Sequence, residues 1–411
     1  MNIKKIRVCR NCRLRSIEKL IDLGNHALTG KFSKSKNATL KKTPLILAMC
    51  NKCKLVQLYN SYDQQLLYNL DYGYETGINS TMKNHMKEVV NEVQKIKKLN
   101  EGDIVLDIAS NDGTLLNYYN KNLIKIGIDP ILKKFKHNYK KINYKISKFF
   151  SLKEIKKLKL KKKIDVITAF SVFYDLDDPN KFLRDIKISL SENGILIIEQ
   201  SNLAYMIKQN SFDTICQEHS CYYTIKVIKK MLYKNNLKLF NHKFNDINGG
   251  SSRYYITHKD NNYIKVKKQN IYKALKFEAR FNPENKMTYK KLLSKIDVIK
   301  KNTLKKIHKI LASGQTIHGY GASTKGNVIL QYFGINNYHL QFIADRNPFK
   351  FNRYTPSTNI KIISETKSRK LIPNFYLVLP WHFKKEILSR EINIRKKGTK
   401  LIFPLPNLKI Y

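Results

Sequence analysis

Three groups of residues in this 411-residue chain could do chemistry. The first is the stretch "DTICQEHSCYYT", Asp213 to Thr224, which sets Glu218 beside His219. An imidazole can exchange a proton near neutral pH, and an adjacent carboxylate can orient it and raise its basicity. A polar surface turn can carry the same pair, so the segment alone leaves both readings open. The second group is two CxxC pairs, "CRNC" (Cys9, Cys12) and "CNKC" (Cys50, Cys53). Two such knuckles supply four thiolates and complete a tetrahedral site with no open position, which predicts structural zinc. The third is a pair of Gly-containing turns after apolar runs, "DIASNDGT" and "GYGASTKGN".

The elements around these residues alternate between strand and helix. "IVLDIA" reads as a strand of a buried parallel sheet, "SNDG" as a turn, and "TLLNYY" as the opening of a helix. "IKIGIDP" is a second strand that ends in Asp129, placed to accept both hydroxyls of a ribose. An adenosine-containing ligand fits this arrangement, which is typical of S-adenosylmethionine (SAM) methyltransferases. The candidate cofactor contacts are Asp107, Ala109, Ser110, Asn111, Asp112, Gly113, Asp129 and, on the strand "IDVITAF", Ala169. "GILIIEQSN" and "YYITHKD" add strands, and residues 180–190 a helix. A Tyr-rich loop with Tyr72 and Tyr74 precedes a helix that begins near Asn79. "GQTIHGY", "LQFIADRNP" and "NFYLVLPW" give a second α/β unit, whose turn amides could hold phosphate together with Lys325.

The expected fold class is therefore α/β. A small N-terminal zinc-binding domain (1–65) precedes a Rossmann-like SAM methyltransferase domain (66–262). A helical connector (263–312) leads to a smaller C-terminal Rossmann-like α/β domain (313–411).

Composition narrows the partners. The 78 Lys and Arg against 31 Asp and Glu give a net charge of +47. The lysines are spread along the whole chain, among many Asn and Ile, as AT-rich coding produces. No recognition motif accompanies the charge, so no nucleic-acid partner is expected, although the field attracts an anionic substrate. No apolar run approaches the ~20 residues of a membrane span, so no membrane partner is expected. The first residues lack an apolar signal region, which predicts a cytoplasmic protein.

Read together, these stretches resemble a family of three-domain SAM-dependent sugar C-methyltransferases. The resemblance runs through the paired CxxC, "DLGNHALTGKF", "DYGYETGINSTMKNH", "DIASNDGTLL", "QEHSCYYT", "NGGSSRYYI", "GYGASTKGNVILQYFGI", "LPWHFKKEI" and "FPLPNLKI". It implies SAM and structural zinc as cofactors and a nucleotide-linked keto-deoxysugar as substrate. It implies His219 as the base, Glu218 as its orienting partner, and Tyr72 or Tyr74 as a substrate or carbonyl contact. Arg253, Tyr320 and Lys325 would bind substrate. Four positions depart from the family pattern. Cys216 stands for a Tyr, Ser171 and Asp175 stand where an Asn-x-x-x-His is common, Ala109 stands for a Gly, and Asn248 for a His. A methyltransferase of the same build acting on oxygen or nitrogen of another anionic acceptor remains open, as does an inactive SAM-binding relative. The sequence implies no particular oligomeric state.

Overall fold

The computed structural model describes residues 3–411 apart from 37, 39 and 71. Its largest sheet has seven strands. Five run parallel in the spatial order Tyr144–Ile146, Ile124–Ile128, Ile104–Ile108, Ile164–Phe170, Leu190–Ser201. Antiparallel Ser251–His258 follows, and Leu237–Asn245 forms the edge. Numbered along the chain, the order is 3-2-1-4-5-7-6. The chain reverses direction beside Ile104–Ile108, so the carboxyl ends there open a crevice. That strand is buried throughout, as its run of Ile, Val and Leu requires when both faces are covered.

The last sheet repeats this logic. Ile317–Tyr320 lies inside the order Ile362–Ser364, Ile343–Asp345, Ile317–Tyr320, Phe375–Val378, Lys400–Phe403, with antiparallel Lys409–Ile410 at the edge. Its crevice opens at the turn after Tyr320.

The N-terminal region is rich in strand. Ile17–Ala27 and Lys42–Cys50 form a long antiparallel pair, joined by Val56–Leu58. A fourth strand, Cys221–Tyr222, comes from the middle of the chain, pairing Cys221 with Gln57 and Tyr222 with Val56. "TLLNYY" does not open a helix. It makes one short turn, Leu116–Tyr118, beside which Asn117 donates its amide to the Asn138 carbonyl. The expected connector is two helices, Lys268–Ala279 and Lys286–Ala312. The longer one buries Leu292, Ile296, Ile299, Thr303, Ile307 and Ile310, a stripe at helical spacing. None of the helices among the described residues is long and apolar enough to cross a membrane.

Two cores bind the units together. One packs Leu45 and Leu47 of the N-terminal sheet with Ile317 and Leu377 of the last sheet. Another packs Cys9, Cys50 and Leu55 with Leu106 and Ile167 of the central sheet. The crevices of the two parallel sheets therefore face one shared cleft.

One sharp turn helps shape that cleft. In "INGGS", Asn248, Gly249 and Gly250 all have positive φ, at 56°, 87° and 116°. A Cβ on Gly250 would lie 2.3 Å from the Tyr205 ring, so only Gly fits there. Gly250→Ala should destabilise the fold by roughly 2–4 kcal/mol, through strain and overlap together. Urea unfolding checks this, and an unchanged midpoint would contradict it.

Candidate functional site

The cofactor turn is built from backbone strain. Ala109 and Asn111 have φ of 57° and 49°, and Gly113 has 76°. Ala109 occupies the left-handed conformation at the position where the family resemblance leads one to expect Gly, a cost of order 1 kcal/mol or more. The amides of Ala109 and Ser110 both donate to the Ile128 carbonyl, at 2.9 and 3.3 Å, locking the turn to the second strand. Tyr139 braces it from behind, with its hydroxyl 2.8 Å from Ser110 Oγ and 2.9 Å from the Asn111 carbonyl. Gly113 closes the turn against this ring rather than lining the cleft.

Asp129 sits at the end of the second strand and lines the cleft. Its Oδ2 accepts from Asn111 N at 2.9 Å and its Oδ1 from Ile131 N at 2.8 Å. Each oxygen retains a lone pair for a ribose hydroxyl. Asp107 accepts from Thr168 Oγ1 at 2.6 Å, and burial pushes its carboxyl up to about 7. Ile131 and Phe149 add apolar wall beside Asp129. These residues fit the adenosine and amino-acid ends of SAM. Asn111 and Asp112 also have a second task. Asn111 Oδ1 accepts from Thr76 N at 2.9 Å and Asp112 Oδ2 from Gly77 N at 2.6 Å. The cofactor turn thereby anchors the loop that carries Tyr72 and Tyr74.

The Glu218-His219 segment lies at the far wall of the same cleft, which measures about 300 Å³. It is stapled to the N-terminal sheet by the Cys221–Tyr222 strand and by Leu58 N donating to the Ser220 carbonyl at 2.9 Å. His219 is 8% exposed. Its Nδ1 lies 2.8 Å from the Thr214 carbonyl. A carbonyl only accepts, so Nδ1 carries the proton and Nε2 keeps its lone pair. Burial, helped by the Lys325 charge, holds the imidazole down to about 3, so it is neutral at physiological pH. The Tyr174 ring packs on it at 4.1 Å between centroids.

Glu218 does not orient this imidazole. Its Oε2 accepts from Thr29 Oγ1 at 3.1 Å, and a Cβ on Gly30 would lie 2.8 Å from its Oε1. Burial raises its carboxyl above the usual range. The orienting group expected of Glu218 is the Thr214 carbonyl instead. Tyr72 and Tyr74 line the cleft; burial raises the Tyr72 phenol well above its ordinary range, while Tyr74 is 44% exposed. Lys325 lines it too, donating to the Asn248 carbonyl at 3.0 Å from the first turn of the helix Thr324–Phe333.

Three expected contacts fall outside the cleft. Arg253 is buried in ion pairs with Glu199 and Glu92, each at 2.6 Å. The Tyr320 hydroxyl donates to Glu391 at 2.6 Å and accepts from Arg390 at 2.7 Å. Both have their polar atoms committed to these partners and neither lines the cleft, so the structure removes them from the substrate contacts. Ala169 is fully buried within its strand, and the cleft begins with Phe170 and Ser171. Asp175, Tyr68 and Tyr174 line the cleft as well, together with His382 from the last unit.

The four cysteines of the two knuckles converge. Their Sγ atoms all lie within 4.8 Å of one another, with Cys9–Cys53 and Cys12–Cys50 at 3.5 Å. Both knuckles have one backbone form. Cys9 and Cys50 each accept from an amide four residues on, at Arg13 and Lys54, whose φ are 64° and 62°. Four thiolates at this separation fit one zinc ion, with Zn–S near 2.3 Å.

A 3-2-1-4-5-7-6 sheet with an acid closing its second strand is the build of a SAM-dependent methyltransferase. Comparison with known proteins agrees along the whole chain. A zinc-binding domain model matches residues 9–68, a methyltransferase domain model residues 78–242, and a C-methyltransferase C-terminal domain model residues 246–406. A relative from Streptomyces niveus, C-methyltransferase NovU, is 22% identical over 412 residues, covering 99% of this chain and 97% of that protein. Solved structures resemble it more distantly. A SAM-dependent methyltransferase from Clostridium acetobutylicum ATCC 824 is 14% identical, covers 43% of this chain and 92% of its own, and has a TM-score of 0.35. A magnesium protoporphyrin IX methyltransferase from Synechocystis PCC 6803, with bound SAH, is 13% identical, covers 44% and 88%, and has a TM-score of 0.33. The three domain matches and the full-length relative make the chain a SAM-dependent methyltransferase, similar in domain order to that C-methyltransferase.

Purified protein should contain one zinc per chain by elemental analysis, and Cys50→Ser should lose it with a lowered melting temperature. Metal-free protein of unchanged stability would contradict the assignment. Asp129→Ala should weaken S-adenosylhomocysteine binding by roughly 10- to 100-fold, the worth of hydrogen bonds to a charged group. Isothermal titration measures this, and unchanged affinity would place the ribose elsewhere.

Proposed function

We propose that the enzyme methylates a carbon next to the ketone of a nucleotide-linked deoxysugar. Such a carbon has no lone pair, so a base must remove its proton before it can attack. SAM, when bound, supplies an electrophilic methyl group on a sulfonium. The observation that carries the reading is the placement of a neutral imidazole, with Nε2 free, in the same cleft as the cofactor turn. His219 Nε2 takes the proton, while Thr214 holds the ring in the required tautomer. Burial makes the empty-site imidazole a weak base, and an anionic acceptor close by would raise its affinity for a proton.

The acceptor's phosphates find a counterpart in the last unit. Ser323 caps the helix Thr324–Phe333, and Ser323, Thr324 and Lys325 all line the cleft. A helix N-terminus beside a lysine favours an anion. The relative's description as a C-methyltransferase favours carbon over oxygen or nitrogen. We keep the domain limits 1–65, 66–262, 263–312 and 313–411 as a proposal, and likewise a cytoplasmic location.

The test incubates the protein with S-adenosylhomocysteine and nucleotide-linked keto-deoxysugars in deuterated water, then repeats it with SAM. Mass spectrometry should show deuterium entering the acceptor, and with SAM a product heavier by one methylene. His219→Ala should lower both by roughly 10²–10⁴-fold. Exchange that survives the substitution would remove His219 from the base role. Methyl transfer without exchange would point to oxygen or nitrogen. Because the free-enzyme imidazole is held at about 3 rather than 6.5, kcat/KM should show no acidic fall near pH 6.5 from this group.

A further inference from the structure

We propose that Asp175 is the hydrogen-bond donor to the acceptor's carbonyl oxygen, its carboxyl gripped on one oxygen by Tyr68 and presenting the other to the substrate. The inference rests on the reaction proposed above and names a residue for its second half.

Asp175 closes the turn Phe173–Asp175 that follows the strand Ile164–Phe170. It lines the cleft with Glu218 and His219 and is 4% exposed. The turn is held from two sides. Gln64 Nε2 donates to the Asp175 carbonyl at 3.0 Å, and Tyr68 Oη donates to Asp175 Oδ2 at 2.7 Å. Oδ1 is buried and finds no hydrogen-bond partner among the described residues. A carboxylate left half-satisfied in such a place is costly, whereas a carboxylic acid with a waiting acceptor is not.

Its neighbours favour the acid form. The titratable groups facing it are Tyr68, Tyr72, Tyr174, Tyr222, Cys216 and Glu218. Five are neutral acids, and the sixth is a carboxyl that repels a second negative charge. Burial, with this repulsion, raises the Asp175 carboxyl well above its ordinary range. With Oδ2 already accepting from Tyr68, the proton belongs on Oδ1. A neutral carboxylic acid in an apolar site is a known way to make an oxyanion donor, as in ketosteroid isomerase.

The step balances. The acceptor's C–H bond breaks, its proton goes to His219 Nε2, and its electron pair moves onto the carbonyl oxygen. Asp175 Oδ1–H donates to that oxygen and keeps its proton. The new C–C bond then forms as the methyl–sulfur bond breaks and its electrons return to sulfur. A donor aimed at the developing charge acts on the transition state more than on the ground state.

Two measurements test this on the full-length enzyme. The infrared difference between wild type and Asp175→Asn at pH 7, without acceptor, should show a protonated-acid carbonyl band lost in the variant. A lost carboxylate band would overturn the proposal. In the deuterium-exchange assay, Asp175→Ala should lose about 10²–10³-fold, the usual effect of removing one such donor. Asp175→Asn, whose amide can still donate, should recover most of that rate. The wild-type rate should also fall at alkaline pH as Asp175 ionises, and the Asn variant should lack that fall. An Asn variant as inactive as Ala, or an Ala variant as active as wild type, would overturn the donor role. If wild type exchanges deuterium with none of the sugars, the reaction itself is misassigned. A fault confined to the variants falls on Asp175 alone.

Discussion

The structure turns on one buried imidazole at a place where three units meet. His219 can serve as a base only if it stays neutral and shows one chosen nitrogen to the substrate. Burial secures the first condition and the Thr214 carbonyl the second. Neither would persist on a free loop. The segment is fixed because Cys221–Tyr222 completes the sheet of the zinc-bearing unit, and Thr29 reaches across to Glu218. The unit that carries the cysteine cluster thereby helps hold this wall of the cleft in place.

The opposite walls follow the same plan. Side chains of the turn after Ile104–Ile108 hold the Tyr72–Tyr74 loop as well as lining the cleft. Asn327 of the last unit donates to the Thr29 carbonyl at 2.7 Å, next to the glycine that lets Glu218 approach. Each unit contributes to a neighbour's geometry, and residues of all three line the cleft. Where its lining groups are buried, as at His219 and Asp175, the lower local dielectric strengthens a hydrogen bond aimed at a developing charge.

Local motifs were legible in the sequence because their chemistry is local. Paired CxxC knuckles, a strand that ends in Asp129 and a Gly-rich turn after Tyr320 each declare themselves within a few residues. Contacts between distant positions were hidden. Nothing in "QEHS" shows that Thr214, not Glu218, orients the imidazole, because both lie within five residues of it. Nothing near Tyr68 points to Asp175, which stands beyond four strands of the central sheet. Arg253 and Tyr320 were misassigned for a related reason. A residue type beside a motif does not reveal which face its strand presents, and here ion-pair networks claim both side chains. After "SNDG" the chain makes the short turn Leu116–Tyr118 in place of the expected helix, and Asn117 donates to the Asn138 carbonyl.

The most direct test is a crystal structure with S-adenosylhomocysteine and a nucleotide-linked keto-deoxysugar bound together. The account predicts the acceptor carbon within about 3–3.5 Å of His219 Nε2, with the sulfur on the opposite face of that carbon. A sugar whose reacting carbon lay out of reach of Nε2, or a sulfur buried away from it, would contradict the account.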